Sequence, residues 1–177
     1  GTITRLISYK ENRGKGFAVR TGMLTAHADY CLMLDADMST PLSEIDKLRK
    51  AIIDSCPVII GTRKAAGARI FVPQPWYRRK LGEGYTWIAN LVTGAEVSDF
   101  TCGFKCFSKE AVFKIFSASR IHGWSYDAEI LFLARRYGFT ICELPIEWHN
   151  DANTRVRIGK DILKSLRDLI KIRFSKY

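Results

Sequence analysis

Asp35-Ala36-Asp37 closes the run Tyr30 to Thr40, YCLMLDADMST, in which five residues suited to a buried strand lead straight into two acids. Carboxylates two residues apart at the end of a strand sit where open α/β sheets bind ligands. One or two of them suffice for a hard divalent cation whose other ligands are phosphate oxygens. A solvated strand end has the same spacing, so neighbouring residues have to decide between the two. Asn12-Arg13-Gly14-Lys15-Gly16 stands immediately before the first expected helix. Glycines there permit close backbone approach, helix-start amides favour anions, and Lys15 adds a point charge. The spacing is neither that of a Walker A loop nor that of a dinucleotide fingerprint. Taken alone, the segment reads better as a surface turn capping a helix than as an anion site.

Helix and strand patterns alternate around these residues. Lys15 to Ala28 reads as a helix and Tyr30 to Leu34 as a short buried strand. Thr40 and Pro41 supply helix-start signals, with Leu42, Ile45, Leu48 and Ile52 on one face. Pro57 to Gly61 is a second buried strand, and strand-helix-strand implies a right-handed crossover in a parallel sheet. The two acids and Gly61-Thr62-Arg63 are then expected at one carboxyl edge. Residues 64 to 80 lack periodicity and read as a mobile loop leading into a helix from about Arg79 to Thr93. Ser98 to Phe107 is polar-aromatic and precedes a helix capped by Ser108. Further helices are expected near Ser125 and from about Gly159 to Phe174, with a strand-like segment, Phe139 to Trp148, between them. In the last helix Ile162, Leu166, Leu169 and Ile170 share one side. No linker divides these elements, so 1–177 reads as a single domain.

A chain of 177 residues is long enough for a sizeable core. No apolar run approaches the roughly 20 residues that span a bilayer. The five cysteines form no C-x-x-C pair and read as reduced, buried thiols of a cytosolic protein. His27, His122 and His149 share no metal-ligand spacing. The net charge is +10, and from Arg155 to Tyr177 eight basic residues face only Asp161 and Asp168. Such a basic amphipathic end seeks polyanions: nucleic acid, an anionic membrane surface or phosphorylated ligands.

The motifs in order resemble a known family. NRGKGFAVRTGM, the strand ending LDAD, and VIIGTR are similar to the family-2 inverting glycosyltransferases of GT-A fold. YRRKLGEGYTWIANLVTG, SDFTCGFKCFSKEAV and GWSYDAEILFLARRYG resemble the polyprenyl-phosphate branch, and most of all its dolichyl-phosphate β-glucosyltransferase subgroup. The resemblance covers about residues 10 to 175, with SDFTCGFK its most diagnostic block. It implies an α/β fold of GT-A type, a mostly parallel sheet flanked by helices. Relatives begin earlier, with a strand ending in a Pro-x-Tyr-Asn-Glu-like motif and an acid that recognises the nucleotide base. The first strand-helix unit is therefore expected to be missing from this chain.

Carried over residue by residue, the resemblance assigns Asp35 and Asp37 to Mg²⁺ or Mn²⁺, and Lys15, Asp35, Asp37 and Arg155 to the nucleotide sugar. Ser39 stands where some relatives have a further polar ligand. Arg63, Arg78, Arg79 and Lys105 fall on the side of the acceptor phosphate, and Asp99 and Asp127 are the candidate catalytic acids. In many family-2 enzymes a carboxylate at the Asp127 position deprotonates a hydroxyl acceptor. A phosphate acceptor is already largely ionised near neutral pH, its second pKa being about 6, and hardly needs a base. Asp127 and Glu129 also sit in the first turn of an expected helix, where negative charge is favourable anyway. The implied partners are a nucleotide-sugar donor, UDP-glucose first, a polyprenyl or dolichyl phosphate and an anionic membrane surface. No nucleic-acid partner is implied. The implied location is cytoplasmic, peripheral at the cytoplasmic face of a membrane, with Lys164, Arg167 and Lys171 facing lipid. A saccharide-hydroxyl acceptor, or a basic binding module without catalysis, are the competing functions.

Overall fold

The computed structural model describes residues 4–150 and 160–177. Arg155 and the expected helix start at Gly159 lie outside the described residues. The chain order is α1 (Lys15–Thr25), β1 (Tyr30–Met33), α2 (Ile45–Ile53), β2 (Val58–Thr62), β3 (Arg69–Val72), α3 (Trp76–Thr93), β4 (Lys105–Ser108), α4 (Lys109–Ala118), α5 (Tyr126–Arg136), β5 (Ile141–Pro145), β6 (Glu147–His149) and α6 (Lys160–Phe174).

The main sheet has the order β1-β4-β2-β5. β2 and β5 are parallel, whereas β4 runs antiparallel to both of its neighbours. Strands β1 and β2 thus point the same way, as strand-helix-strand requires, but β4 separates them. β4 is buried along nearly its whole length, so it reads as a central strand once its neighbours are known. The insertion matters for position. Lys105, the first residue of β4, pairs with Met33 at the end of β1 and with Ile60 near the end of β2. The block preceding β4 therefore reaches the same edge as the ends of those strands.

Strand residues alternate between two cores. Cys31, Met33, Val58, Ile60 and Phe107 face a large cluster with α1, α3, α4, α5 and α6. Ile59, Phe104 and Cys106 face a smaller cluster with Leu48 of α2, Ile146 and Trp148. Period-two alternation of side chains across a pleated strand accounts for this division. Ser108 caps α4 as expected, accepting from the Ala111 amide at 3.3 Å. Thr40 does not cap α2. A 3₁₀ turn, Leu42–Glu44, starts after Pro41 and the α-helix begins only at Ile45.

Residues 64–80 are more ordered than their composition suggests. β3 pairs in parallel with β6, with Phe71 stacked on His149 at 4.6 Å, and α3 starts at Trp76 rather than near Arg79. α3 ends on Gly94, whose φ of +62° is the left-handed conformation that glycine adopts without strain. The Asn90 side chain then holds Val97 through both its amide and its carbonyl, at 3.0 and 2.8 Å. In α6, Leu169 and Ile172 are buried, while Ile170, expected on the packed side, is exposed.

Cys56, ahead of β2, is joined to Cys142 of β5 by a disulfide, so the expectation of five reduced thiols is corrected. Cys31, Cys102 and Cys106 are free and buried. Digestion without reductant is expected to release the Cys56 and Cys142 peptides as one linked species by mass spectrometry. Reduction should lower the unfolding free energy by about 2–4 kcal/mol in denaturant titrations.

Candidate active site

Two charge pairs and a bidentate clamp occupy the edge where β1 and β2 end and β4 begins. Lys105 has no exposed side-chain surface. Its Nζ donates to Asp127 Oδ1 and to the Cys102 carbonyl, each at 2.5 Å. Asp127 stands in the first turn of α5 and is buried. Burial pushes its carboxyl above the ordinary range, against the pull of Lys105 and Lys15. A carboxylate so placed balances a buried ammonium before it does anything else.

Lys15 opens α1, and its Nζ lies 2.8 Å from Asp35 Oδ1. It stands 5.6 Å from the Trp124 ring centre and 5.7 Å from that of Tyr126. Burial disfavours the ammonium, but Asp127, Asp35 and Asp37 together hold its pKa above the usual lysine value. Asp37 is exposed and accepts the Ser39 amide at 2.9 Å, while the Asp35 carbonyl accepts the Met38 amide at 3.2 Å. The acids thus sit on a tight turn with Met38 at φ 54°.

The glycines of this segment form the start of α1 and allow a close backbone approach, as expected, but the group that approaches is a protein carbonyl. The Gly16 and Phe17 amides donate to the His122 carbonyl at 2.8 and 3.4 Å. A Cβ on Gly14 would overlap that same carbonyl, and one on Gly16 would meet the Ile121 carbonyl and Tyr126 Cβ. The close approach is therefore between α1 and the loop 119–125, which leaves the Lys15 side chain as that segment's cation at the cluster. Glu129 fixes the loop from the other side. Fully buried, it accepts the Arg120 amide at 2.9 Å, the Ile121 amide at 2.8 Å and the Tyr177 hydroxyl at 2.8 Å.

Arg63 and Asp99 are brought together as a fork. Arg63 Nε donates to Asp99 Oδ2 at 2.6 Å and Nη2 to Oδ1 at 2.8 Å, with Thr101 Oγ1 a further acceptor at 2.8 Å. Burial opposes ionisation of Asp99, but the guanidinium overcomes it and holds the carboxyl below the usual range. The Trp148 ring covers Arg63 at 5.0 Å. Arg78 and Arg79 stand apart on the first turn of α3, with Arg79 exposed and 3.8 Å from Glu83. Lys105, Asp127, Lys15, Asp35, Arg63 and Asp99 are thus gathered at one edge, and Asp37 adjoins it on the turn. Trp124, Tyr126, Glu129 and the His122 carbonyl complete the surroundings. The sequence signal for Trp124, Tyr126 and Glu129 is their place in the GWSYDAE block, which names no partners, and His122 directly precedes it.

Glycosyl transferase family 2 is the family whose sequence profile matches, over residues 2–116. The chain belongs to this family. A Saccharomyces cerevisiae dolichyl-phosphate beta-glucosyltransferase is 34% identical over 97% of the chain and 55% of its own length. The Homo sapiens dolichyl-phosphate beta-glucosyltransferase is 28% identical over 90% of the chain and 53% of its own length. The chain thus spans about half the length of these relatives. Among solved structures, glucosyl-3-phosphoglycerate synthase from Mycobacterium tuberculosis in complex with uridine-diphosphate superposes with a TM-score of 0.63. That match has 13% identity and covers 93% of this chain and 56% of the other. The likeness carries the fold, a sheet flanked by helices of GT-A type.

The pairings predict two outcomes. Lys105→Met and Asp127→Asn should each destabilise the protein by about 3–5 kcal/mol, because each strands a buried charge or its partner. The double variant should cost clearly less than their sum in denaturant unfolding. Asp99 acts in the acid range. Its folded pKa lies below the unfolded value of about 3.9, so its contribution is complete above that pH and is lost as the pH falls through the folded value. The stability gap between wild type and Asp99→Asn should therefore narrow below about pH 4.

Proposed function

We propose that this domain transfers a hexose, glucose first, with inversion from a nucleotide sugar to dolichyl or a related polyprenyl phosphate at a membrane surface. The observation that carries this reading is the adjacency of the Lys15–Asp35 and Lys105–Asp127 pairs at one sheet edge. It is supported by the similarity to dolichyl-phosphate beta-glucosyltransferases along nearly the whole chain. UDP-glucose is the proposed donor, and the uridine-diphosphate complex of the structural relative supports a nucleoside diphosphate in this fold.

Asp35 and Asp37 are the residues that would hold Mg²⁺ or Mn²⁺. Two hard carboxylates on a tight turn suit such an ion when diphosphate oxygens and water complete the shell. A cation held by them would offset the charge that builds on the departing diphosphate. Lys15 adds positive charge beside the same acids, and Arg155 is assigned to the donor phosphates from its place in the family pattern.

Attack by an acceptor phosphate oxygen on the anomeric carbon needs positioning and charge neutralisation more than a base. Lys105 and Arg63 at the sheet edge, and Arg78 and Arg79 on α3, are assigned to that phosphate from their places in the family pattern. Asp99 orients Arg63, and Asp127 holds Lys105. The basic helix α6 presents Lys164, Arg167 and Lys171 beside exposed Leu163, Ile170 and Phe174. Each such cation contributes about 1 kcal/mol near an anionic leaflet. Among the described residues no helix is long and apolar enough to cross a membrane; the contact proposed for α6 is a peripheral one.

A saccharide-hydroxyl acceptor is the second reading. The raised Asp127 carboxyl favours it, because a carboxylate made more basic by burial takes a proton from a hydroxyl more readily.

Incubation with labelled UDP-glucose and vesicles carrying dolichyl phosphate tests the proposal. Label is expected in a lipid-extractable product, dependent on Mg²⁺ or Mn²⁺ and lost in Asp35→Ala. Label in a water-soluble saccharide without lipid phosphate would overturn it. Asp127→Asn, assayed well below its melting point, should lose far less turnover with a phosphate acceptor than with a hydroxyl one.

A further inference from the structure

Gly103 lies between the two charge pairs. A Cβ on it would overlap Asp35 Oδ2 and Cγ and stand 2.8 Å from Oδ1. Its φ is outside the left-handed region, so backbone conformation does not demand glycine here. Space does. By contrast Gly22, Gly82 and Gly84 have nothing within 4 Å of an added Cβ. The Asp35 carboxylate therefore rests directly on the bare Cα of Gly103. One residue before it, the Cys102 carbonyl receives Lys105 Nζ at 2.5 Å, and the same ammonium holds Asp127.

We propose that Gly103 is a positioning residue of the donor site, seating the Asp35 carboxylate at a fixed place relative to the Lys105–Asp127 pair. A methyl group at 103 leaves two ways out. The carboxylate swings aside and parts from Lys15, now at 2.8 Å; or the Cys102–Gly103 peptide shifts and takes its carbonyl from Lys105. Either movement separates the donor acid from the acceptor-side lysine. A short acid can rotate more cheaply than a peptide can move, so the first is the expected response. The role rests on the reading of Asp35 as a metal and diphosphate ligand.

Mn²⁺ binding in the presence of UDP, followed by electron paramagnetic resonance of the free ion, tests it without turnover. Gly103→Ala is expected to stay folded and to lose about tenfold in Mn²⁺ affinity, the scale of a disturbed ligand support. The same change in an Asp35→Ala background should cost nothing further, and Gly82→Ala should bind as wild type does. Wild-type affinity in Gly103→Ala, or full additivity with Asp35→Ala, would overturn the proposal. If Gly103→Ala melts much earlier than wild type, adding Asp35→Ala should restore the melting temperature, since the overlapping carboxylate is gone; no restoration overturns the seat. If the wild type binds no Mn²⁺ with UDP, the donor-site reading fails instead. Melting temperatures of the two single variants and the double variant then decide the seat, with additive losses counting against it.

Discussion

A fully buried lysine ammonium is the constraint around which this edge of the sheet is arranged. An isolated charge in the interior costs several kcal/mol, and only close partners of opposite polarity offset it. Lys105 meets that demand with Asp127 and the Cys102 carbonyl. Three segments are thereby fixed together: the start of β4, the turn before it and the first turn of α5. The antiparallel insertion of β4 puts the ammonium beside the ends of β1 and β2 rather than at the far edge of the sheet. Reversing that one strand would move the lysine away from Asp35 and Arg63 altogether.

From this anchor the charges alternate in sign: Lys105, Asp127, Lys15, Asp35. Asp127 and Lys15 both feel burial and both feel opposite charge, yet different effects prevail. Asp127 lies deep, and desolvation outweighs its two lysines, raising its pKa. Lys15 is nearer the surface and faces three acids, so attraction outweighs desolvation and its charge is retained. Asp99 is buried like Asp127 but receives a two-pronged guanidinium and a backbone amide, and there hydrogen bonding prevails. Three ionisable groups within one edge thus show how partner geometry, beyond burial alone, sets the direction of a shift.

Much of this was legible in the chain itself. Alternation of helix and strand, the acids at the end of β1 and Arg63 after β2 follow from periodicity and turn chemistry. The ordered motifs added Lys105, Asp99 and Asp127. What did not follow was pairing. A four-residue strand such as β4 carries too little pattern to declare its direction, and β3 is exposed along its whole length, so no alternation marks it. Arg63 and Asp99 were assigned separate roles because nothing in a sequence states that residues 36 positions apart form a fork. Glu129 was legible only as a favourable charge at a helix start. Its actual partners are amides at 120 and 121 and a hydroxyl at 177, contacts that exist only after the loop has folded back.

The glycines of the Gly14-Lys15-Gly16 segment carry this point furthest. A sequence can say that a backbone must come close there, but not what comes close. In the fold it is the His122 carbonyl, which takes the first amides of α1 and so closes the helix start to an anion. Positive charge from this segment then reaches the cluster through the Lys15 side chain, whose place depends on the same contact. The chain of support continues outward: His122 belongs to the loop that Glu129 holds, and Glu129 is held in turn by Tyr177, three residues beyond α6. The basic helix and the Lys15–Asp35 pair are thereby parts of one hydrogen-bonded framework, although the helix begins 125 positions after Asp35.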